Sequence, residues 1–199
     1  MANVSQVKAK RFTDGTAASA TTIAAAQTLG GAGNMTLAGT AATFAGDNMA
    51  QKITLVSTGN ISAVTFTITG TDSEGNTQEE ALTGPNNNTV TSTKYFQTVT
   101  QIAASGAVGT NTSSGVAADQ GGTVFAGRTR IRGMHGVFGG AGTVLFNNTS
   151  IDGSEQLGMT VVSGQLDPYM PDNGVLFDSG AFVKMDVGTI TGLTVFFDG

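Results

Sequence analysis

The chain has 199 residues, no cysteine or tryptophan, one histidine and a formal net charge of -5 at pH 7. The lack of cysteine excludes disulfides, thiol nucleophiles and Cys-ligated zinc or iron–sulfur sites, and one histidine excludes a multi-histidine metal site within one chain. Only 12% of the residues are charged and their balance is acidic, so the composition disfavours binding to nucleic-acid phosphates.

The beginning of the chain lacks the pattern of a secretory signal, because no apolar stretch follows its basic residues. No apolar run is long enough to predict a transmembrane helix. We therefore expect a soluble protein that is made in the cytoplasm and has no membrane partner.

The hydrophobic pattern predicts short strands. Val64, Phe66 and Ile68 alternate with threonines, which is typical of a half-buried strand, and residues 70–76 (GTDSEGN) supply turn chemistry. The alanine run at 23–27 predicts one helical turn at most. In all, strands are predicted at 35–37, 42–44, 53–56, 64–69, 77–82, 89–93, 95–102, 124–125, 129–134, 137–138, 143–146, 157–162, 175–177, 182–187 and 193–197.

This pattern predicts an all-β fold, with an N-terminal Ig-like β-sandwich followed by a second compact antiparallel β-sandwich or jelly-roll-like module. Residues 103–122 are rich in small residues, which indicates a domain boundary or a long hinge. We predict an N-terminal arm at 1–14, the sandwich at 15–117 and the C-terminal module at 118–199.

Several segments resemble those of virion structural proteins of tailed bacteriophages. The main one is VTFTITGTDSEGNTQEEALTGPNNNTVTSTKYFQTVTQIAASG at 64–106, and TLGGAGNMTLAGT at 28–40 fits the N-terminal side of the same family. The C-terminal resemblance lies in RTRIRGMHGVFGGAGTVLFNNTS at 128–150 and PDNGVLFDSGAFVKMDVGTITGLTVFF at 171–197. These motifs are structural, and they supply no catalytic, cofactor-binding or metal-binding residue.

The resemblance implies a non-enzymatic protein of the virion, made in the host cytoplasm. Within that class we expect a capsid decoration or cement protein that binds the assembled shell and stabilises it. Its partners would be the major capsid protein or other virion proteins, and we expect a homo-oligomer, with a trimer by analogy. The alternative is a tail- or fibre-associated protein that recognises the host by binding glycans. A depolymerase would need a paired-carboxylate cleft that the sequence does not supply.

The densest basic cluster is Arg128, Arg130 and Arg132, whose spacing puts them on one face of a predicted strand. One hypothesis is an interface that pairs with carboxylates of a neighbouring subunit. The alternatives are a solvated strand face or a match within the chain to acids such as Asp178 or Asp186.

A second basic group lies near the N-terminus, at Lys8, Lys10 and Arg11, whereas the C-terminal part of the chain is rich in acids. Opposite charges of this kind can steer assembly. We interpret these three residues as part of an interface arm that orders on a partner, with a disordered terminus as the alternative.

Other polar groups are interpreted as structural. His135 is expected in a strand or turn because no nucleophile elbow accompanies it. The Asp72 to Asn76 spacing lacks the rest of a calcium loop and predicts a hairpin turn. Residues 167–178 carry acids and prolines, and they predict a rigid acidic loop. Glu79 and Glu80 should point to opposite faces of one strand.

Overall fold

The computed structural model describes residues 6–186 and 188–199. They form antiparallel β-sheets, consistent with a β-sandwich, which confirms the prediction of an all-β fold. A short 3-10 turn lies at Gly39–Ala42. In chain order the strands are β1 (Val7–Phe12), β2 (Ser19–Leu29), β3 (Gly33–Asn34), β4 (Ala50–Ser57), β5 (Thr65–Thr71), β6 (Thr77–Thr83), β7 (Thr89–Phe96), β8 (Thr98–Ala104), β9 (Val108–Phe125), β10 (Thr129–Phe138), β11 (Gly142–Asn148), β12 (Ser154–Val161), β13 (Gly164–Leu166), β14 (Val175–Phe177), β15 (Ala181–Asp186) and β16 (Ile190–Asp198).

The chain folds into two compact units that are interleaved in sequence. The central unit comprises residues 15–46 and 50–118, and the described residues of the terminal unit lie in 6–14, 47–49 and 119–199. The change of unit between 118 and 119 lies one residue from the predicted division at 117/118 and within the segment 103–122 that was predicted to hold a domain boundary. Two features of the division were not predicted. The chain changes unit inside strand β9, and residues 47–49 return to the terminal unit between two segments of the central one.

The terminal unit contains a five-stranded sheet in which β16 lies between β1 and β10. Both β13 and β14 pair with β10. A second ladder runs from β12 through β11 and β15 to residues 119–125 of β9. Alternation along β16 buries Leu193, Val195 and Phe197, which pack with Phe12 and Met49 in one hydrophobic core.

The central unit contains the four-stranded sheet β3-β8-β5-β6. In its second ladder, β4 lies between β9 and β7, and β2 pairs with the first part of β9. Strand β5 buries Phe66 and Ile68, and its threonines face outward, as the alternation predicts. This unit has its own core, which includes Phe44, Phe66 and Phe96.

The prediction of a hinge within 103–122 is wrong, because strand β9 extends over Val108–Phe125. Its small residues serve close packing. A Cβ at Gly115 would lie 1.7 Å from the backbone oxygen of Ser19, and one at Gly122 would lie 2.2 Å from that of Asn48. The composition resembles that of a linker, but the backbone is held between neighbours that leave no room for side chains.

The prediction of an N-terminal arm at 1–14 is wrong for its described residues. Val7–Phe12 forms β1, which pairs along its whole length with β16, and the side chain of Phe12 is fully buried. Residues 1–5 lie outside the described part of the chain. Lysines at positions 8 and 10 obscure the strand pattern, because they occupy the face of β1 that also carries Phe12.

Two local predictions also fail. The alanine run, for which at most one helical turn was predicted, lies within the eleven-residue strand β2. Residues 35–37 and 42–44 form no strand. The chain bends instead through the 3-10 turn, which brings Ala41 and Phe44 into the central core.

Candidate interaction surface

The three arginines near β10 do not form one regular stripe. Arg128 precedes the strand, and its Nε lies 3.2 Å from Asp178 Oδ1, with both side chains largely exposed. Arg132 is the extra residue of a β-bulge, because Ile131 and Gly133 pair with consecutive residues of β16. The bulge shifts the alternation, so the spacing i, i+2, i+4 does not keep all three arginines equivalent.

Each of these arginines has a partner within the terminal unit. Arg130 donates a hydrogen bond to the backbone oxygen of Asn173 at 3.1 Å, and Arg132 Nε lies 3.6 Å from Asp198 Oδ2. The ion pair between Arg128 and Asp178 agrees with the alternative prediction that these arginines pair with acids of the same chain. Asp186 instead accepts hydrogen bonds from the backbone and hydroxyl of Thr143. The arginines therefore organise the loops beside β10, whatever they contact beyond the chain.

The basic residues of β1 lie at an edge of the five-stranded sheet. Lys10 Nζ donates to the backbone oxygen of Thr123 at 2.7 Å, and Lys8 Nζ lies 5.6 Å from the ring centroid of Phe125. Arg11 forms a 3.0 Å ion pair with Asp47, yet its side chain stays 57% exposed. Lys8 is also exposed, so β1 presents positive charge to solvent.

A loop after β13 presents the most exposed aromatic side chain of the described residues. Tyr169 is 86% exposed and lies between Asp167 and Asp172, both of which are exposed. Neither aspartate takes part in an ion pair among the described residues. Sequence reasoning found the acids and prolines of this loop but missed the exposed tyrosine. The signal available was its position between Pro168 and Pro171, outside any strand pattern.

Lys184 is the centre of another charged cluster of the terminal unit. Its Nζ lies 2.5 Å from Asp152 Oδ1 and 3.6 Å from Asp119 Oδ1. Burial lowers the pKa of Lys184, but the attraction of the two carboxylates outweighs burial and raises the pKa overall. This cluster ties β15 to β9 and to the loop before β12, so its charges act within the fold.

The residues considered above as candidate catalytic or metal-binding groups lie in ordinary turns and strands. Asp72 Oδ1 accepts the backbone N–H groups of Glu74 and Asn76, and Gly75 adopts a φ of 82°, which confirms the predicted hairpin turn. His135 lies exposed in β10. No cluster of three or more His, Asp or Glu side chains that could hold a metal ion occurs in 6–186 and 188–199.

The glutamates of β6 also hold backbone in place. Glu80 accepts the N–H of Thr93 at 2.7 Å with one oxygen and the N–H of Lys94 at 2.8 Å with the other. Glu79 accepts a hydrogen bond from the hydroxyl of Thr69 on the opposite face of the strand. The predicted opposite orientation of these two glutamates is therefore confirmed.

Comparison with known proteins gives no further assignment: no protein-family model, curated protein or solved structure matches this chain. Nor does any helix among the described residues have the length and apolar character needed to span a membrane.

Proposed function

We propose that this chain is a non-enzymatic structural protein of a tailed-bacteriophage virion, and that it decorates the assembled capsid shell and stabilises it. One observation carries this function. Three of the four acidic residues within the segment that resembles virion proteins, Asp72, Glu79 and Glu80, accept hydrogen bonds from the hairpin turn and from neighbouring strands. The motif of the resemblance is therefore used to build a sheet.

Two properties of the surface favour a decoration protein within that class. Few residues are charged, and the outward face of β5 is an array of threonines, so the central unit offers broad polar faces to solvent. A protein bound in many copies to a repeating shell needs only modest affinity per site, because the lattice supplies avidity. The major capsid protein is the partner that this proposal requires.

Cryo-electron microscopy of the particle that carries this protein tests the proposal. We expect density for both units distributed over the shell, in a copy number comparable to that of the major capsid protein. Particles assembled without the gene for this chain are the control, and they should lack that density and release their genome at a lower temperature. Density confined to one vertex or to the tail would overturn the decoration function and favour the tail-associated alternative.

A further inference from the structure

Two exposed surfaces of the terminal unit carry opposite charges, and each includes exposed apolar side chains. The first, the basic edge, consists of Val7, Lys8 and Arg11 on β1. The second, the tyrosine loop, consists of residues 167–172 between β13 and β14, with Asp167, Tyr169 and Asp172 exposed, and the exposed Val162 lies shortly before β13. The exposed fraction is 54% for Val7, 72% for Val162 and 86% for Tyr169.

The sheet order places these surfaces on opposite edges. Strand β1 pairs with β16, and β16 covers one side of β10 from Arg130 to Phe138. Strands β13 and β14, which flank the tyrosine loop, pair with the two ends of β10 and so lie on its other side. Three interstrand steps of about 4.8 Å each separate the two edges. The basic edge and the tyrosine loop of one copy are therefore directed away from each other.

The two surfaces are complementary to each other. An exposed tyrosine between carboxylates suits a surface on which an apolar side chain lies beside cations, since tyrosine supplies contact area and the opposite charges fix the orientation. The basic edge provides this combination along one exposed strand, with Val7 and Arg11 on one face of β1 and Lys8 on the other. Two carboxylates of this sheet are already paired with arginines, since Asp47 forms an ion pair with Arg11 and Asp198 with Arg132.

We propose that the tyrosine loop of one copy binds the basic edge of a second copy, so that the chain self-associates head to tail. A contact between two different surfaces is heterologous, and it generates a closed ring where the rotation closes, whereas a self-complementary patch stops at a dimer. A trimer requires a contact of the heterologous kind. This self-association goes beyond the proposed function, because it needs no capsid lattice and can be measured on the purified chain.

Sedimentation velocity of the full chain over a range of protein concentrations tests this contact. We expect concentration-dependent oligomers that dissociate as the ionic strength rises. Lys8→Glu and Asp172→Lys should each weaken association by at least about tenfold, because each places like charges opposite one another. Glu74→Lys is the matched control, since it changes the charge of an exposed residue in the central unit by the same amount as Asp172→Lys, and it should associate like the wild type.

Mixing the two variants provides the decisive comparison. The Lys8→Glu protein keeps an intact tyrosine loop and the Asp172→Lys protein keeps an intact basic edge, so an equimolar mixture should form a mixed dimer through one native contact, which neither variant forms alone. Thermal melts of each variant establish that it is folded. A wild-type chain that stays monomeric at all concentrations, or variants that sediment like the wild type, would overturn the head-to-tail contact and leave the test on virions unaffected.

Discussion

The carboxylate of Asp14 accepts a hydrogen bond from the side-chain amide of Gln120 at 2.6 Å. Its second oxygen accepts the backbone N–H of Ile190 at 2.8 Å. Asp14 is the last residue of the terminal unit before the chain enters the central unit, and Gln120 is the second residue after it returns. Asp14 therefore links the position where the chain leaves the terminal unit, through hydrogen bonds, to the position where it returns and to the first residue of β16.

The first prediction concerns the pH dependence that follows from Asp14. Burial raises its pKa above the ordinary value of 3.8, against the lowering effect of its hydrogen bonds to Ile190 and Gln120. A carboxyl with a raised folded-state pKa contributes stability that is present below the unfolded pKa and is lost as pH rises through the folded pKa. The unfolding free energy of the wild type should therefore rise relative to that of Asp14→Asn as pH falls from neutral toward 3.8.

Urea unfolding of both proteins at a series of pH values measures this difference. We expect a change below about 1 kcal/mol, since the carboxyl is half-exposed and water screens it. Glu74→Gln, which removes an exposed carboxylate, is the control for the general effect of acid. A difference between wild type and Asp14→Asn that shrinks in acid would contradict the raised pKa.

The second prediction compares the neighbouring glutamates of β6. Both oxygens of Glu80 accept backbone N–H groups, so Glu80→Gln places an amide N–H against a backbone donor. We expect a loss of about 1–2 kcal/mol in unfolding free energy, because hydrogen bonds to a charged acceptor are stronger than neutral ones. Glu79→Gln keeps an oxygen for the hydroxyl of Thr69 and should cost less than about 0.5 kcal/mol.

Chemical denaturation of the two variants gives the free energies, and hydrogen exchange at the amides of Thr93 and Lys94 locates the effect. Faster exchange at these two amides is expected in Glu80→Gln only. Equal losses in both variants would mean that negative charge on β6, rather than the contact to β7, stabilises the central unit.

The third prediction concerns glycines of β9. A Cβ at Gly115 meets the backbone oxygen of Ser19, whereas one at Gly109 meets nothing within 4 Å. Gly115→Ala should lower the unfolding free energy by about 1–3 kcal/mol, because β2 or β9 must shift. Gly109→Ala on the same strand should be neutral or stabilising by up to about 1 kcal/mol, because alanine reduces the entropy of the unfolded chain. Thermal denaturation of both variants makes the comparison, and equal melting temperatures would show that β2 does not approach β9 closely.

The sequence predicted those strands in which large and polar residues alternate. The predictions at 64–69, 77–82 and 175–177 are confirmed by β5, β6 and β14. In β5 the buried Phe66 and Ile68 alternate with threonines, in β6 more exposed and less exposed positions alternate, and β14 is a short apolar run that ends on the buried Phe177. Strand β2 and residues 108–123 of β9 were missed because alanine, serine and glycine give no such contrast. Their pairing depends on how closely backbones approach, which only tertiary contacts reveal.

The candidate surfaces were predicted less well than the fold. Charge alone identified Lys8, Lys10 and Arg11, but their position on an edge strand depends on pairing with residues nearly 190 positions later in the chain. The prediction that the three arginines share one face required a regular strand, and the bulge at Arg132 interrupts the two-residue alternation. Tyr169 lies in the loop between two strands that pair with β10, and its position between Pro168 and Pro171 was the local signal that could have indicated its exposure.

The interleaving of the two units dictates an order of events during synthesis. All residues of the central unit, including those of its own hydrophobic core, are present once residue 118 has left the ribosome. Strand β1 is made before the other described strands, yet it has no partner until β16 has been made. A message that stops short of residues 190–198 therefore yields every residue of the central unit but leaves β1 unpaired.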